Sequence, residues 1–328
     1  MKRIKPFLSV FLFKLRYFDL LKHFQKNRVI ILMYHRFSDK AEPFKTHQSA
    51  FENQVKFLKK NFSFISLKHY SEILEKKREN LPRNPIILTI DDGYQDNYTF
   101  AYPILKKYSV PATIFLTTDF ISKKAWLWPN KLEFILKSSS RKVFYFPLGK
   151  KAVQFSVDDF KNWHNTQLAI FNYCRTLPDK EKDQTLNKLA RRLKVSVPEK
   201  TQGDFQPLSW DQIREMGNHL VHFGSHTCSH PILSRLTTEQ LQYELIQSKL
   251  DLEENISSGV RLFCYPNGQI EDINYEAIQA VKSAGYRCAV TTVNGFNNIE
   301  KTNLFLLKRI SISSKDNSNI FRDVTRLT

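Results

Sequence analysis

Pro85-Ile86-Ile87-Leu88-Thr89-Ile90-Asp91-Asp92-Gly93 sets a run of strand character directly against two adjacent carboxylates and a glycine. A short, nearly continuous apolar run is what a strand covered on both faces needs, as in a parallel sheet flanked by helices. Asp91 and Asp92 cannot both be cheaply charged side by side without a cation. One of them can ligate a metal while the other handles protons. A solvated Asp-Gly turn reads the same way locally, so the rest of the chain must decide.

Working outward, similar runs occur at Val29–Met33, Phe62–Leu67, Ala112–Thr117, His219–Gly224, Arg261–Tyr265, Arg287–Thr292 and Phe305–Ile310. Helical patterns lie between them: His47–Lys60, a helix capped by Ser66 and running through Leu74, Asp96–Tyr108, Trp210–Met216, Thr238–Ile256 and Ile273–Ala284. Thr237 and Gln240 form a capping box before the fifth of these. Pro103 must sit in the first turns of its helix or at a kink. Repeated strand–helix units without a dinucleotide glycine fingerprint predict an α/β fold of barrel type. Residues 123–206 break the alternation and are read as a partly helical insertion. The expected organisation is a basic segment over 1–28 and a barrel domain over 29–328.

In parallel α/β barrels the chemistry sits at the C-terminal ends of the strands. His35, Asp91-Asp92, His226 and Asn267 each follow a predicted strand, so four separate elements deliver polar groups to one rim. His226-Thr227-Cys228-Ser229-His230 carries two imidazoles four residues apart. On a helical turn that spacing puts both on one face, where they share a cation. Two imidazoles and one carboxylate leave coordination positions open, as a catalytic metal requires.

Thr89–Gly93 resembles the Thr-Phe-Asp-Asp-Gly motif of the polysaccharide deacetylases, the NodB-homology group of carbohydrate esterase family 4. His226–His230 is similar to that family's His-(Ser/Thr)-x-x-His motif. Phe263-Cys264-Tyr265-Pro266-Asn267-Gly268 is similar to its Phe-Arg-x-Pro-Tyr-Gly motif. The resemblance runs from about residue 29 to 310, outside the insertion. It implies a distorted (β/α) barrel and a divalent metal, zinc being the expected ion, held by Asp92, His226 and His230. It makes Asp91 the general base and the backbone N–H of Asn267 an oxyanion donor. The implied reaction is hydrolysis of an N-acyl group, N-acetyl in the first instance, on an amino sugar.

Two positions depart from the pattern. Cys264 stands where the third motif usually has Arg, and no His follows His230 to supply the usual C-terminal acid. Met33-Tyr34-His35-Arg36-Phe37 resembles the N-terminal Tyr-His segment of a subgroup with permuted strand order, which makes His35 the expected general acid. Arg309, at the end of a predicted strand, is the residue expected to replace the missing Arg beside Asp91. Tyr94, Trp126 and Trp128 are candidates for stacking on sugar rings, because aromatic faces suit the apolar faces of pyranoses.

The chain has 328 residues, 41% of them hydrophobic, enough for one large domain with an insertion. Its 50 Lys+Arg against 32 Asp+Glu give +18, which favours anionic partners. No nucleic-acid motif accompanies the charge, so no nucleic-acid partner is expected. In residues 1–28, Phe7, Leu8, Phe11, Leu12, Leu15, Phe18 and Leu21 recur at helical spacing among lysines and arginines. That pattern suits an anionic membrane surface, and equally a helix capping the domain. The four cysteines form no CxxC pair. The expected location is cytoplasmic, at the inner face of a membrane, where a glycan or lipid-linked sugar is met. Two rival readings are a glycan-binding relative without turnover and a metal amidohydrolase of deformylase type.

Overall fold

The computed structural model describes residues 28–76 and 81–312. The basic segment 1–28 lies outside the described residues except for Arg28. The apolar runs form seven strands: β1 (Arg28–Tyr34), β2 (Pro85–Ile90), β3 (Ala112–Leu116), β4 (Val221–Ser225), β5 (Leu262–Cys264), β6 (Cys288–Asn294) and β7 (Leu307–Ser311). Each is parallel to the next, and β7 pairs with β1, so the sheet closes into a seven-stranded parallel barrel. Ser63–Phe64 is added beside β2, and Asn297–Asn298 runs antiparallel to β1.

Alternation along the strands explains why the runs are apolar throughout. Val29, Ile31, Ile87, Phe115, Leu262, Cys264, Val290 and Leu307 belong to one buried cluster. Their neighbours Ile30, Leu32, Ile86, Leu88, Ile114 and Leu116 belong to the larger cluster shared with the helices. Both faces are buried, as a barrel inside a ring of helices demands. Each fully buried Leu or Ile contributes about 1.5–3 kcal/mol relative to exposure.

The surrounding helices are α1 (Gln48–Asn61), α2 (Leu67–Lys76), α3 (Tyr102–Tyr108), the short α4 (Thr118–Ile121), α5 (Trp128–Ser138), α6 (Phe160–Arg175), α7 (Asp179–Leu193), α8 (Trp210–Gly217), α9 (Thr238–Ile256) and α10 (Tyr275–Ser283). The Thr237–Gln240 capping box is present at the start of α9, and Ser66 Oγ accepts the His69 N–H at the start of α2. The helix expected over 96–108 is divided. Asn97–Ala101 forms a π-helical turn and Pro103 lies in the first turn of α3. Pro103 has no N–H for the carbonyl four residues back, and the wider turn accommodates that gap.

Residues 123–206, irregular in sequence, are well structured. They hold α5, an antiparallel hairpin (Val143–Leu148 with Lys151–Ser156), α6 and α7. These elements bury a separate apolar cluster that includes Trp128, Leu132, Ile135, Phe144, Phe155, Ile170 and Leu186. Among the described residues no helix is long and apolar enough to cross a membrane.

Candidate active site

Strand register places the chemistry. Tyr34 pairs with Ile90 across β1 and β2, so His35 and Asp91 leave adjacent strands at the same level. The chain turns at once: Asp92 has φ +77° and Gly93 φ +86°. A Cβ at Gly93 would lie 2.6 Å from Leu116 Cδ2, so only glycine fits there. The turn sends the two carboxylates apart, Asp91 toward β7 and Asp92 toward the loop after β4.

Asp91 is 1% exposed, at the floor of a cleft, and gripped by Arg309, whose Nη1 and Nη2 donate to its two oxygens at 2.7 and 2.6 Å. Arg309 is 0% exposed. It also donates from Nε to Thr291 O at 2.7 Å, from Nη1 to Thr89 Oγ1 at 3.1 Å and from Nη2 to Cys264 Sγ at 3.2 Å. Burial alone raises a carboxyl pKa, but the guanidinium outweighs it and holds Asp91 below the ordinary value. Cys264 thus packs beside the pair as a small neighbour, while Arg309 supplies the charge from another strand.

His226 follows β4 directly. Its Nδ1 lies 2.7 Å from Cys264 O, so that nitrogen donates. Burial disfavours charge on the ring, but Cys264 and Asp92 outweigh it and raise its pKa, so an ion at Nε2 would take the place of a proton. Nε2 of His226 and Nε2 of His230 lie 3.5 and 3.6 Å from the same oxygen, Asp92 Oδ1. The expected helical turn is absent. Residues 226–230 form a loop in which Thr227 and His230 have φ +69° and +62°. Left-handed residues, rather than helical spacing, swing the two imidazoles together. Glu244 of α9 holds this loop. Its Oε2 accepts the N–H groups of Cys228 and Ser229 at 2.8 and 3.0 Å, and its Oε1 accepts Ser229 Oγ–H at 2.6 Å.

The three donors fit a divalent ion. They are buried and mutually within 4.8 Å. Separations of 3.5 and 3.6 Å are long for hydrogen bonds. They match the roughly 3.4 Å between ligands set tetrahedrally about 2.1 Å from zinc. Burial, with the neighbouring His226 charge, pushes His230 down to about 3, which leaves its ring neutral and able to ligate. Burial raises Asp92, but the His226 and His230 imidazoles outweigh it and its pKa is lowered.

These groups line a cleft of about 1280 Å³ at the C-terminal mouth of the barrel. His35 stands on its wall, 42% exposed, with Nε2 3.7 Å from Asp91 Oδ2. Asn267 lines it with φ +59°, and its Nδ2 is buried without a partner among the described residues. The next residue, Gly268, has φ +62°, and a Cβ there would lie 2.8 Å from Tyr265 O. Tyr94 also lines the cleft, but it is 4% exposed and its hydroxyl donates to Asn130 Oδ1 at 2.8 Å. Trp126 and Trp128 are elsewhere. Trp126 packs on Phe134 and Phe205 and donates to Pro198 O at 2.9 Å. Trp128 is 3% exposed and stacks on Phe171. Both serve the packing of residues 123–206, so the stacking role expected of them from sequence is corrected.

Three groups escaped the sequence reading. Glu244 falls on the buried stripe of α9 with Leu241, Leu245, Ser248 and Leu252; a carboxylate on that stripe was the available signal. Arg36, 8% exposed, lies 4.7 Å from the Tyr94 ring centre and 5.3 Å from that of Phe205, and donates to Asp204 O. It ties the His35 loop to the end of the inserted segment. Phe44, also missed, lines the cleft.

Comparison with known proteins agrees with this geometry. The polysaccharide deacetylase family model matches residues 78–289. YxkH of Bacillus subtilis, which carries a polysaccharide deacetylase name, is 24% identical over 284 residues, 86% of this chain and 71% of its own. The poly-beta-1,6-N-acetyl-D-glucosamine N-deacetylase of Staphylococcus aureus is 30% identical over 137 residues, 37% of this chain and 46% of its own. The match therefore spans less than half of the staphylococcal enzyme. The structure of the Streptococcus pyogenes deacetylase PplD, in complex with acetate, superposes with a TM-score of 0.59 at 20% identity, covering 90% of this chain and 97% of that one. With the barrel, the motifs and this match together, the chain belongs to the polysaccharide deacetylase family.

Proposed function

We propose that the protein hydrolyses the N-acetyl group of an amino-sugar residue in a β-linked N-acetylglucosamine polymer. The observation that carries this is one cleft holding both a three-donor metal site and an Arg-clamped carboxylate. The staphylococcal relative is named for that polymer, and we take its substrate class as our own. Asp92, His226 and His230 would hold the ion, and zinc suits two imidazoles and a carboxylate. A divalent ion there supplies Lewis acidity for the acyl oxygen and acidity for water.

The chain's own residues do the rest. Asp91, kept ionised and aimed by Arg309, takes the proton of the attacking water. The Asn267 N–H meets negative charge developing on the acyl oxygen. His35 delivers a proton to the departing nitrogen, since an amide leaves poorly otherwise. The products are acetate and a free amine on the sugar. The basic sequence 1–28 suits a substrate met at an anionic membrane surface on the cytoplasmic side, such as a lipid-linked glycan precursor. Binding to anionic vesicles with and without residues 1–26 tests that part.

The test of the activity is acetate release from N-acetylglucosamine oligomers by the metal-loaded protein. Release that depends on divalent metal and disappears in Asp92→Asn is expected. Metal and oligomer binding with no acetate release from any N-acylated glycan would leave a binding protein instead.

A further inference from the structure

The wall of the cleft contains a feature that ordinary folding disfavours. Phe44 is 53% exposed and has φ +63°. A bulky side chain is rarely left-handed, and an exposed Phe gains little from the hydrophobic effect. Strain of this kind persists where surrounding structure imposes it, typically at ligand clamps. Phe44 reaches from the loop after β1 to α6. Its ring centre lies 5.1 Å from His164, 6.1 Å from Trp163 and 6.2 Å from Phe160. Phe160 is itself 55% exposed and lies nearly parallel to His164, at 8°. Phe44 and Phe160 both line the cleft, as do His35 and the metal donors.

We infer that Phe44 and Phe160 form a stacking platform for a pyranose ring beside the reacting residue. This rests on the proposed glycan reading and deepens it. The occupant follows from the wall's chemistry. Flat aromatic faces set at an open cleft suit the apolar face of a sugar ring, whose polar edges stay in water. The cleft, at about 1280 Å³, exceeds the roughly 300–1,000 Å³ that holds a drug-sized ligand. It has room for more than one ring. His35, the proposed proton donor to the sugar nitrogen, lines the same cleft as Phe44. The platform takes the place of the tryptophans that residues 123–206 keep for their own packing.

Binding of a β-1,6-linked N-acetylglucosamine pentamer, measured by calorimetry, tests this alongside acetate release from pentamer and monomer. Phe44→Ala and Phe160→Ala should each weaken pentamer binding about three- to tenfold, the range of one aromatic contact. Acetate release from the pentamer should fall through its KM by a similar factor and by more than release from the monomer, and Phe44→Tyr should bind like wild type. Phe44→Asn, with a residue that tolerates the left-handed region, should weaken binding as much while its Tm stays equal or rises. A packing role would lower that Tm instead. Unchanged pentamer affinity in both alanine variants overturns the platform, as does a wild type that does not bind pentamer. So does an affinity for alkyl N-acetylglucosaminides that grows with chain length and is lost in Phe44→Ala, which would assign the wall to a lipid tail. If wild type binds pentamer through these residues but releases no acetate, the platform stands and the hydrolytic reading falls.

Discussion

Arg309 of the last barrel strand holds Asp91, the residue after the second strand, through two parallel hydrogen bonds, at 2.7 and 2.6 Å, with the guanidinium completely buried. Cys264 lies in van der Waals reach of both, Sγ 3.6 Å from Asp91 Oδ2. The guanidinium that the family's third motif usually supplies from this position arrives from a different strand. Removing it strands a buried carboxylate, so Arg309→Met should lose about 3–5 kcal/mol of stability. A paired rescue tests the exchange itself. Arg309→Ser should be nearly inactive, and adding Cys264→Arg should recover part of the turnover. If the double variant is no better than Arg309→Ser, the two positions are not equivalent.

The same pair predicts a pH dependence. Asp91 has a lowered pKa in the fold. Its contribution is therefore present above the unfolded carboxylate range near pH 4, and is lost as pH falls through the folded pKa. In Arg309→Met the largest charge opposing burial is gone, so burial raises that pKa and the sign reverses. The Tm difference between wild type and Arg309→Met should widen from pH 4 to pH 7. A constant difference across that range would mean that Asp91 does not depend on Arg309 for its charge.

The metal site gives a prediction independent of turnover. Adding zinc to metal-stripped protein should raise Tm in wild type, because the ion binds the folded state. Asp92→Ala should show no rise and no bound metal by elemental analysis. Glu244→Ala should keep the ligands but lower metal affinity about 10- to 100-fold, as loss of an outer-shell partner does. Normal zinc affinity in Glu244→Ala would show that the loop holds its left-handed turns unaided.

The sequence disclosed what depends on local pattern. Strands buried on both faces must be continuous apolar runs, so β2 and its relatives stood out, and the rim position of Asp91, His226 and Asn267 followed. It hid what depends on backbone geometry or distant partners. His226 and His230 read as helical neighbours, although left-handed Thr227 and His230 bring them together. Residues 123–206 looked irregular because α6 and α7 carry narrow apolar stripes among polar residues, Trp163, Ile170 and Cys174 in one and Leu186, Leu189 and Leu193 in the other. Nothing in Pro43-Phe44 announces a φ of +63°. Trp126 and Trp128 drew attention by residue type, yet their burial is decided by neighbours such as Phe205 and Phe171 that sequence does not place.

His35 carries the prediction that separates an enzyme from a binding protein. Breaking an amide C–N bond needs the nitrogen protonated as it leaves. Asp91 has both oxygens engaged by Arg309, and its remaining lone pairs serve to accept a proton, not to donate one. His226 and His230 have their Nε2 atoms turned to Asp92. His35 is exposed to the cleft, with Nε2 3.7 Å from Asp91 Oδ2, and it makes none of the metal-site contacts. His35→Ala should therefore lower kcat about 10²–10⁴-fold with metal content unchanged. Asp92→Ala should lose metal and activity together, which keeps the two roles apart. Turnover in His35→Ala near that of wild type would mean that another group protonates the amine, and the role given to the loop after β1 would fall.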